Sequence, residues 1–98
     1  MTESALSLRG DLDIATVAAV HTRALAAHKA GSLPDNIDLS EITRADSAGL
    51  ALLLELKSWA QASGHALQLT NPPENLRVLA ELSQADELLG WVPQEASI

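Results

Sequence analysis

The chain has no cysteine, no phenylalanine and no tyrosine in its 98 residues. Without cysteine there is no disulfide framework and no thiolate metal site, and the composition fits a reducing compartment. Trp59 and Trp91 are the only aromatics, so a core has to be assembled from Leu, Val, Ile and Ala. Basic residues are also scarce: 6 Lys and Arg stand against 13 Asp and Glu, a formal net charge of −7. Such a surface repels phosphates, which argues against nucleic acid, and it supplies no polybasic membrane anchor. The opening MTESALSLRGDLD has neither the basic start nor the apolar run of a signal peptide. The longest uncharged apolar run falls far short of the roughly 20 residues that span a bilayer, so direct membrane insertion is not expected. These absences describe a soluble, cytoplasmic domain.

What is present suffices for one core. Apolar residues make up 47% of the chain, and this length supports a single domain over residues 1–98. ALSLRG (5–10) alternates Leu6 and Leu8 with polar residues, the period-2 pattern of a half-buried strand, and Gly10-Asp11 punctuates it. Residues 14–30 are Ala-rich and free of Gly and Pro, with Asp13 placed to cap a helix and Gly31 to end it. Ile14, Val17, Val20, Ala24 and Leu25 share one face of that helix. A turn (SLPDN) leads to a short strand at 37–40, and residues 41–46 read as a polar loop. Residues 48–63 form a second helix ended by Gly64, ALQLT (66–70) a third strand, and 74–82 a third helix with Leu76, Leu79 and Leu82 at helical spacing. A further turn is expected at 86–89, the core at about 5–90, and a frayed tail at 91–98. Strands alternating with helices define an α/β fold with at least two crossover units on a small sheet.

The second helix poses a question. Its opening, SAGLALLL (47–54), has no charge and no hydrogen-bonding side chain except Ser47. On a helical wheel Leu52, Leu53, Leu56, Trp59 and Ala60 share one side, enough to bury the helix against a sheet. Glu55, Lys57, Ser58 and Gln61 mark the other side as solvent-facing, and Leu50, Ala51 and Leu54 fall among them. Two leucines are therefore expected to stand exposed beside Ser47 as a docking patch, unless a neighbouring loop or the C-terminal tail covers them. Ser47 lies at or beside the helix N-cap, where its hydroxyl can accept a backbone N–H bond. The same position suits an added anion, and a phosphate there would put about two negative charges into the middle of the patch. A plain cap and a phosphate acceptor both remain open for Ser47.

At this point LRGDLDIATV followed by IDLSEITRADSAGLALLLEL resembles the STAS family of sulfate-transporter and anti-sigma-factor-antagonist domains. The matching motifs are Gly10-Asp11-Leu12-Asp13 and Asp46-Ser47-Ala48-Gly49-Leu50, within a resemblance that covers roughly residues 5–90. It implies a small mixed β-sheet packed by helices mainly on one side, with the start of the second helix as the functional surface. Two branches of the family compete. In anti-sigma factor antagonists, the serine at the position of Ser47 is phosphorylated by a kinase-type anti-sigma factor. In MlaB-like subunits of Mla phospholipid-transport ABC systems, which serve outer-membrane lipid asymmetry, a small STAS domain binds the cytoplasmic ATPase of a complex that includes a membrane permease. SAGLALLLEL is closer to the second branch than to the antagonists' usual Ser-Ser-Gly-Leu-Gly. The chain also begins almost at the Gly-Asp-Leu-Asp strand, without the strand that antagonists carry before it. The resemblance thus implies a regulatory or stabilising subunit held at the inner membrane through its partner. Asp46, Ser47, Leu50, Ala51 and Leu54 are its expected contact residues.

No catalytic constellation emerges. His21 and His28 are seven apart near the apolar face of the first helix, and with no cysteine or carboxylate at ligand spacing there they read as partly buried side chains rather than metal ligands. Adjacent Asp46 and Ser47 do not supply the base-and-orienter geometry of a nucleophilic triad, and Gly-x-Ser-x-Gly is absent. There is no Gly-rich phosphate loop, so the chain is not itself an ATPase. Neither a catalytic residue, a cofactor nor a metal is expected. The sequence reads as a binding module.

Overall fold

The computed structural model describes residues 8–91. In chain order the elements are β1 (Gly10–Leu12), α1 (Val17–Lys29), β2 (Asn36–Asp38), β3 (Ile42–Ala45), α2 (Ser47–Ala62), β4 (Gln68–Thr70), α3 (Glu74–Leu82) and α4 (Asp86–Leu89). β1 pairs with β3 and β2 with β4, both in parallel. Parallel neighbours need crossover connections, and α1 and α2 supply them, as the alternation of strand and helix patterns predicts. Residues 5–7 of the expected first strand lie outside the described residues. Among the described residues the strand starts later, at Gly10, and runs to Leu12, so Gly10-Asp11, expected to punctuate the strand, opens it instead.

The segment read as a polar loop at 41–46 is in fact β3. Only Ile42 of this strand is buried, so it lacks a clean apolar alternation. It is a strand because β1 lies beside it, with Gly10 opposite Ile42 and Leu12 opposite Ala45. β2 and β3 are nearly one strand bent at residues 39–41. Leu39 N–H donates to the Thr70 carbonyl at 2.8 Å on the β4 side, and the Glu41 carbonyl accepts from Gly10 N–H at 2.9 Å on the β1 side.

α1 begins at Val17, three residues later than its pattern suggests. Asp13 does not cap the helix itself but closes a turn ahead of it. Its carboxylate accepts from Ala15 N–H at 3.0 Å, its own N–H donates to Thr16 Oγ1 at 3.0 Å, and its carbonyl accepts from Val17 N–H at 2.8 Å. Ile14 therefore sits in a turn and is 74% exposed rather than on the buried face, while Val20 and Ala24 are buried as expected. Gly31 and Gly64 end α1 and α2 with positive φ. The next residues' N–H groups, on Ser32 and His65, return to the Ala27 and Ala60 carbonyls at 2.8 Å each.

The core joins Leu12, Ile37, Leu39, Leu53, Leu56, Leu69 and Leu76, all nearly inaccessible, and each buried leucine contributes about 2 kcal/mol. α2 is the central helix. It packs on α1 along one flank and on α3 and α4 along the other, with β3 against it as well. This placement corrects one expectation about its leucines. Leu50 is only 3% exposed and belongs to the same cluster as Leu76, Ala80 and Leu89 of the C-terminal helices. α3 and α4 span the expected residues, but Leu82 at the end of α3 is 77% exposed while Leu76 is buried. Trp91 is not frayed: it is half-buried and its indole Nε1 donates to the Leu69 carbonyl at 2.9 Å. Residues 92–98 lie outside the described residues. Among the described residues no helix is long and apolar enough to cross a membrane.

Candidate functional site

The two motifs meet at the start of α2. Asp46 is its N-cap, with extended backbone. One carboxylate oxygen, Oδ1, accepts from Ala48 N–H at 2.9 Å and Gly49 N–H at 3.2 Å. The other, Oδ2, reaches across to accept from Ile14 N–H at 3.1 Å. One side chain therefore fixes both the first turn of α2 and the turn before α1. Desolvation at this junction pushes the Asp46 carboxyl pKa up. The backbone N–H groups of Ile14, Gly49, Ala48 and Asp46 itself outweigh that and hold it below its ordinary value.

Gly49 explains the close approach. A Cβ built on it would overlap the Leu12 carbonyl oxygen and press on the Leu12 side chain at 3.0 Å. Asp46 N–H donates to that same carbonyl at 3.3 Å. The Gly-Asp-Leu-Asp strand and the Asp-Ser-Ala-Gly-Leu helix start are thus two halves of one joint, each needing the other's backbone.

Ser47 is the first residue of α2, not the cap, because Asp46 occupies that role. Its side chain is exposed, and among the described residues no hydrogen bond holds its hydroxyl. Ala51 is exposed one turn on, and Leu54 is half-buried at the edge of the core. Ser47, Ala51 and Leu54 thus lie along the outward crest of α2, whereas Leu50 is buried in the core and leaves the surface set. Ser47 also lines a shallow groove of about 560 Å³ with Ala45, Asp46, Asn75, Val78 and Leu79. Asn75 Nδ2 donates to the Ala45 carbonyl at 3.0 Å, which pins the start of α3 beside the end of β3.

Two exposed apolar residues that sequence reasoning missed stand near Ser47: Ile14 from the turn before α1, and Val78 from α3, 41% exposed. For Ile14 a signal was available, since Thr16, three residues after Asp13, can close a turn that delays the helix. For Val78 there was none, because its neighbour is set by how α3 docks.

Both oxygens of Asp46 are occupied by backbone donors, so it is no base for Ser47. Of the histidines, His21 shares a groove with Ala48 and Ala51. His21 and His28 both pack on Trp59, one edge-on at 5.4 Å between ring centroids and the other stacked at 5.1 Å, and His21 lies 3.6 Å from Glu55. His65 Nε2 donates to the Pro34 carbonyl at 3.1 Å. Among the described residues no group of three or more His, Cys, Asp or Glu side chains could hold a metal ion.

The chain matches the family model described as "Mlab, STAS domain" over residues 2–90, and it belongs to that family of MlaB-type STAS domains. Among solved structures it is similar to the anti-sigma factor antagonist SpoIIAA in its unphosphorylated form, with a TM-score of 0.63. That likeness covers 83% of this chain and 77% of that one at 22% sequence identity, and it establishes a shared fold. No curated protein matches the sequence. The fold is thus that of an anti-sigma-factor-antagonist-like STAS domain.

Proposed function

We propose that this domain is a non-enzymatic subunit that docks on the cytoplasmic ATPase of a Mla-type phospholipid-transport ABC complex and regulates or stabilises it. The observation that carries this reading is an exposed, unbonded Ser47 hydroxyl on a rigid helix start, with Ala51 and the half-buried Leu54 along the same crest. The MlaB-type family match supports that branch. Burying the crest against a partner removes apolar surface from water, and the backbone-anchored helix start has little freedom to lose on binding. The protein is peripheral to the inner membrane through its partner, without insertion of its own.

Affinity purification from the native host in detergent, with mass spectrometry of the co-purifying chains, tests this. An ABC ATPase recovered with its permease supports it. Ala51→Asp should then abolish co-purification while the domain still folds, because Ala51 is exposed. Recovery of the same complex by the Ala51→Asp and Ser47→Glu variants would move the interface away from α2.

The second reading, an anti-sigma factor antagonist switched by phosphorylation of Ser47, draws on the same exposed hydroxyl and on the fold likeness to SpoIIAA. An anion at the first turn of α2 is compatible with the helix dipole. Its distinguishing sign is a mass gain of one phosphate on Ser47 in protein from the native host, together with a soluble kinase-like partner and no permease.

A further inference from the structure

Ile14 is the most exposed large side chain beside the candidate site, at 74%. Its backbone is nonetheless held firmly. Its N–H is bonded to Asp46 Oδ2, and the turn around it is closed by the reciprocal bonds of Asp13 and Thr16. A large apolar side chain on a fixed backbone loses little freedom when a partner covers it, which is how interface anchors behave. Two carboxylates precede it in sequence, Asp11 exposed and Asp13 half-buried. Among the described residues neither is in an ion pair; the Asp11 carboxylate accepts from the Thr43 hydroxyl at 3.0 Å, and the Asp13 carboxylate from Ala15 N–H and the Thr16 hydroxyl of its own turn.

The geometry points to Ile14 as a second anchor of the partner interface, seated in an apolar pocket of the ATPase whose rim carries Lys or Arg facing Asp11 and Asp13. This rests on the docking reading above and adds to it the turn before α1 and the chemistry of the partner's surface. Charge complementarity selects that occupant over a second copy of this chain. A chain of net charge −7 would bring the same carboxylates against each other in a dimer built around Ile14. Asp46 acts here as a positioning residue: by bonding Ile14 N–H and capping α2 at once, it keeps Ile14 and Ser47 in one fixed relation.

The test measures binding of the purified Mla-type ATPase subunit of the same organism to the wild-type domain and to Ile14→Ala and Asp11→Asn, over a range of salt concentrations. Ile14→Ala should weaken binding by about tenfold or more, as loss of a buried anchor does. Its thermal unfolding should match the wild type, since the side chain is exposed. Asp11→Asn, which keeps an acceptor oxygen for Thr43, should flatten the fall of affinity with salt. Unchanged affinity for Ile14→Ala, with binding lost in Ser47→Glu, would overturn the anchor and leave the docking reading standing. No binding by the wild type would remove that reading and the anchor with it. Self-association of the wild type that Ile14→Ala abolishes would overturn the assignment to the ATPase and make Ile14 a dimer contact.

Discussion

The two ends of α2 are built in opposite ways. At its C-terminal end, Trp59 is closed in by His21 and His28 from α1, so that side chains cover side chains. At its N-terminal end, order comes from the backbone: the Asp46 carboxylate takes three N–H groups from two segments, and Gly49 lets the helix lie against the Leu12 carbonyl. The difference shows how a small domain can hold a surface rigid without covering it. Packing immobilises residues by burying them, whereas backbone hydrogen bonds immobilise a segment and leave its side chains free to meet a partner. Ser47, Ala51 and Ile14 are exposed on the backbone-held end.

Substitutions that separate packing from backbone anchoring sharpen this contrast. The largest effect belongs to Leu50, which lies at the anchored end but faces inward. Leu50→Ala should cost about 2–5 kcal/mol in a denaturant titration, while Ala51→Asp next to it should leave the midpoint unmoved. Equal effects at both positions would mean that the helix start is not divided into an inner and an outer side. Trp59→Ala follows, at about 2–3 kcal/mol for a half-buried aromatic, with partner binding retained because the packed end is remote from Ser47.

Gly49→Ala should destabilise by about 1–2 kcal/mol, the overlap with Leu12 outweighing the gain in helix propensity. Unlike Trp59→Ala, it should also weaken docking, since the helix start has to shift. Asp46→Asn comes last. Asn offers one acceptor oxygen where Asp offers two, so either the cap or the tie to Ile14 is lost, and the melting temperature should fall by roughly 5 °C. The same carboxylate gives the wild type a pH dependence. Its folded pKa lies below the unfolded value, so its stabilisation is complete above the ordinary aspartate pKa and is lost as pH falls through the depressed one. An acid titration of Asp46→Asn should therefore lose less stability over that window than the wild type, and parallel curves would show that the three N–H bonds contribute nothing.

Much of the architecture could be read in advance because it is local. The ends of α1 and α2 follow from Gly31 and Gly64, α3 from Leu76 and Leu79 at helical spacing, and the α/β class from the alternation of strands and helices. β3 could not be read, because Ile42-Thr43-Arg44-Ala45 has one buried residue and is a strand only by virtue of β1 at its side. Leu82 and Ile14 were misjudged for a related reason. Helical spacing assigns a residue to a face, but not how far the helix or its covering neighbour extends.

The candidate site divides along the same line. That Asp46, Ser47 and Gly49 stand together at a helix start could be read from the chain alone, because capping depends on residues a few positions apart. Its excess of negative charge and lack of cysteine likewise need no fold to be known. Which of the surrounding apolar residues face water depends instead on the packing of distant segments. Leu50 is buried in a core built from every part of the chain, and the Asp46 carboxylate draws Ile14, thirty-two residues away in the chain, to the edge of the exposed crest. A helical wheel contains neither fact, because burial is set by neighbours that arrive from elsewhere in the sequence.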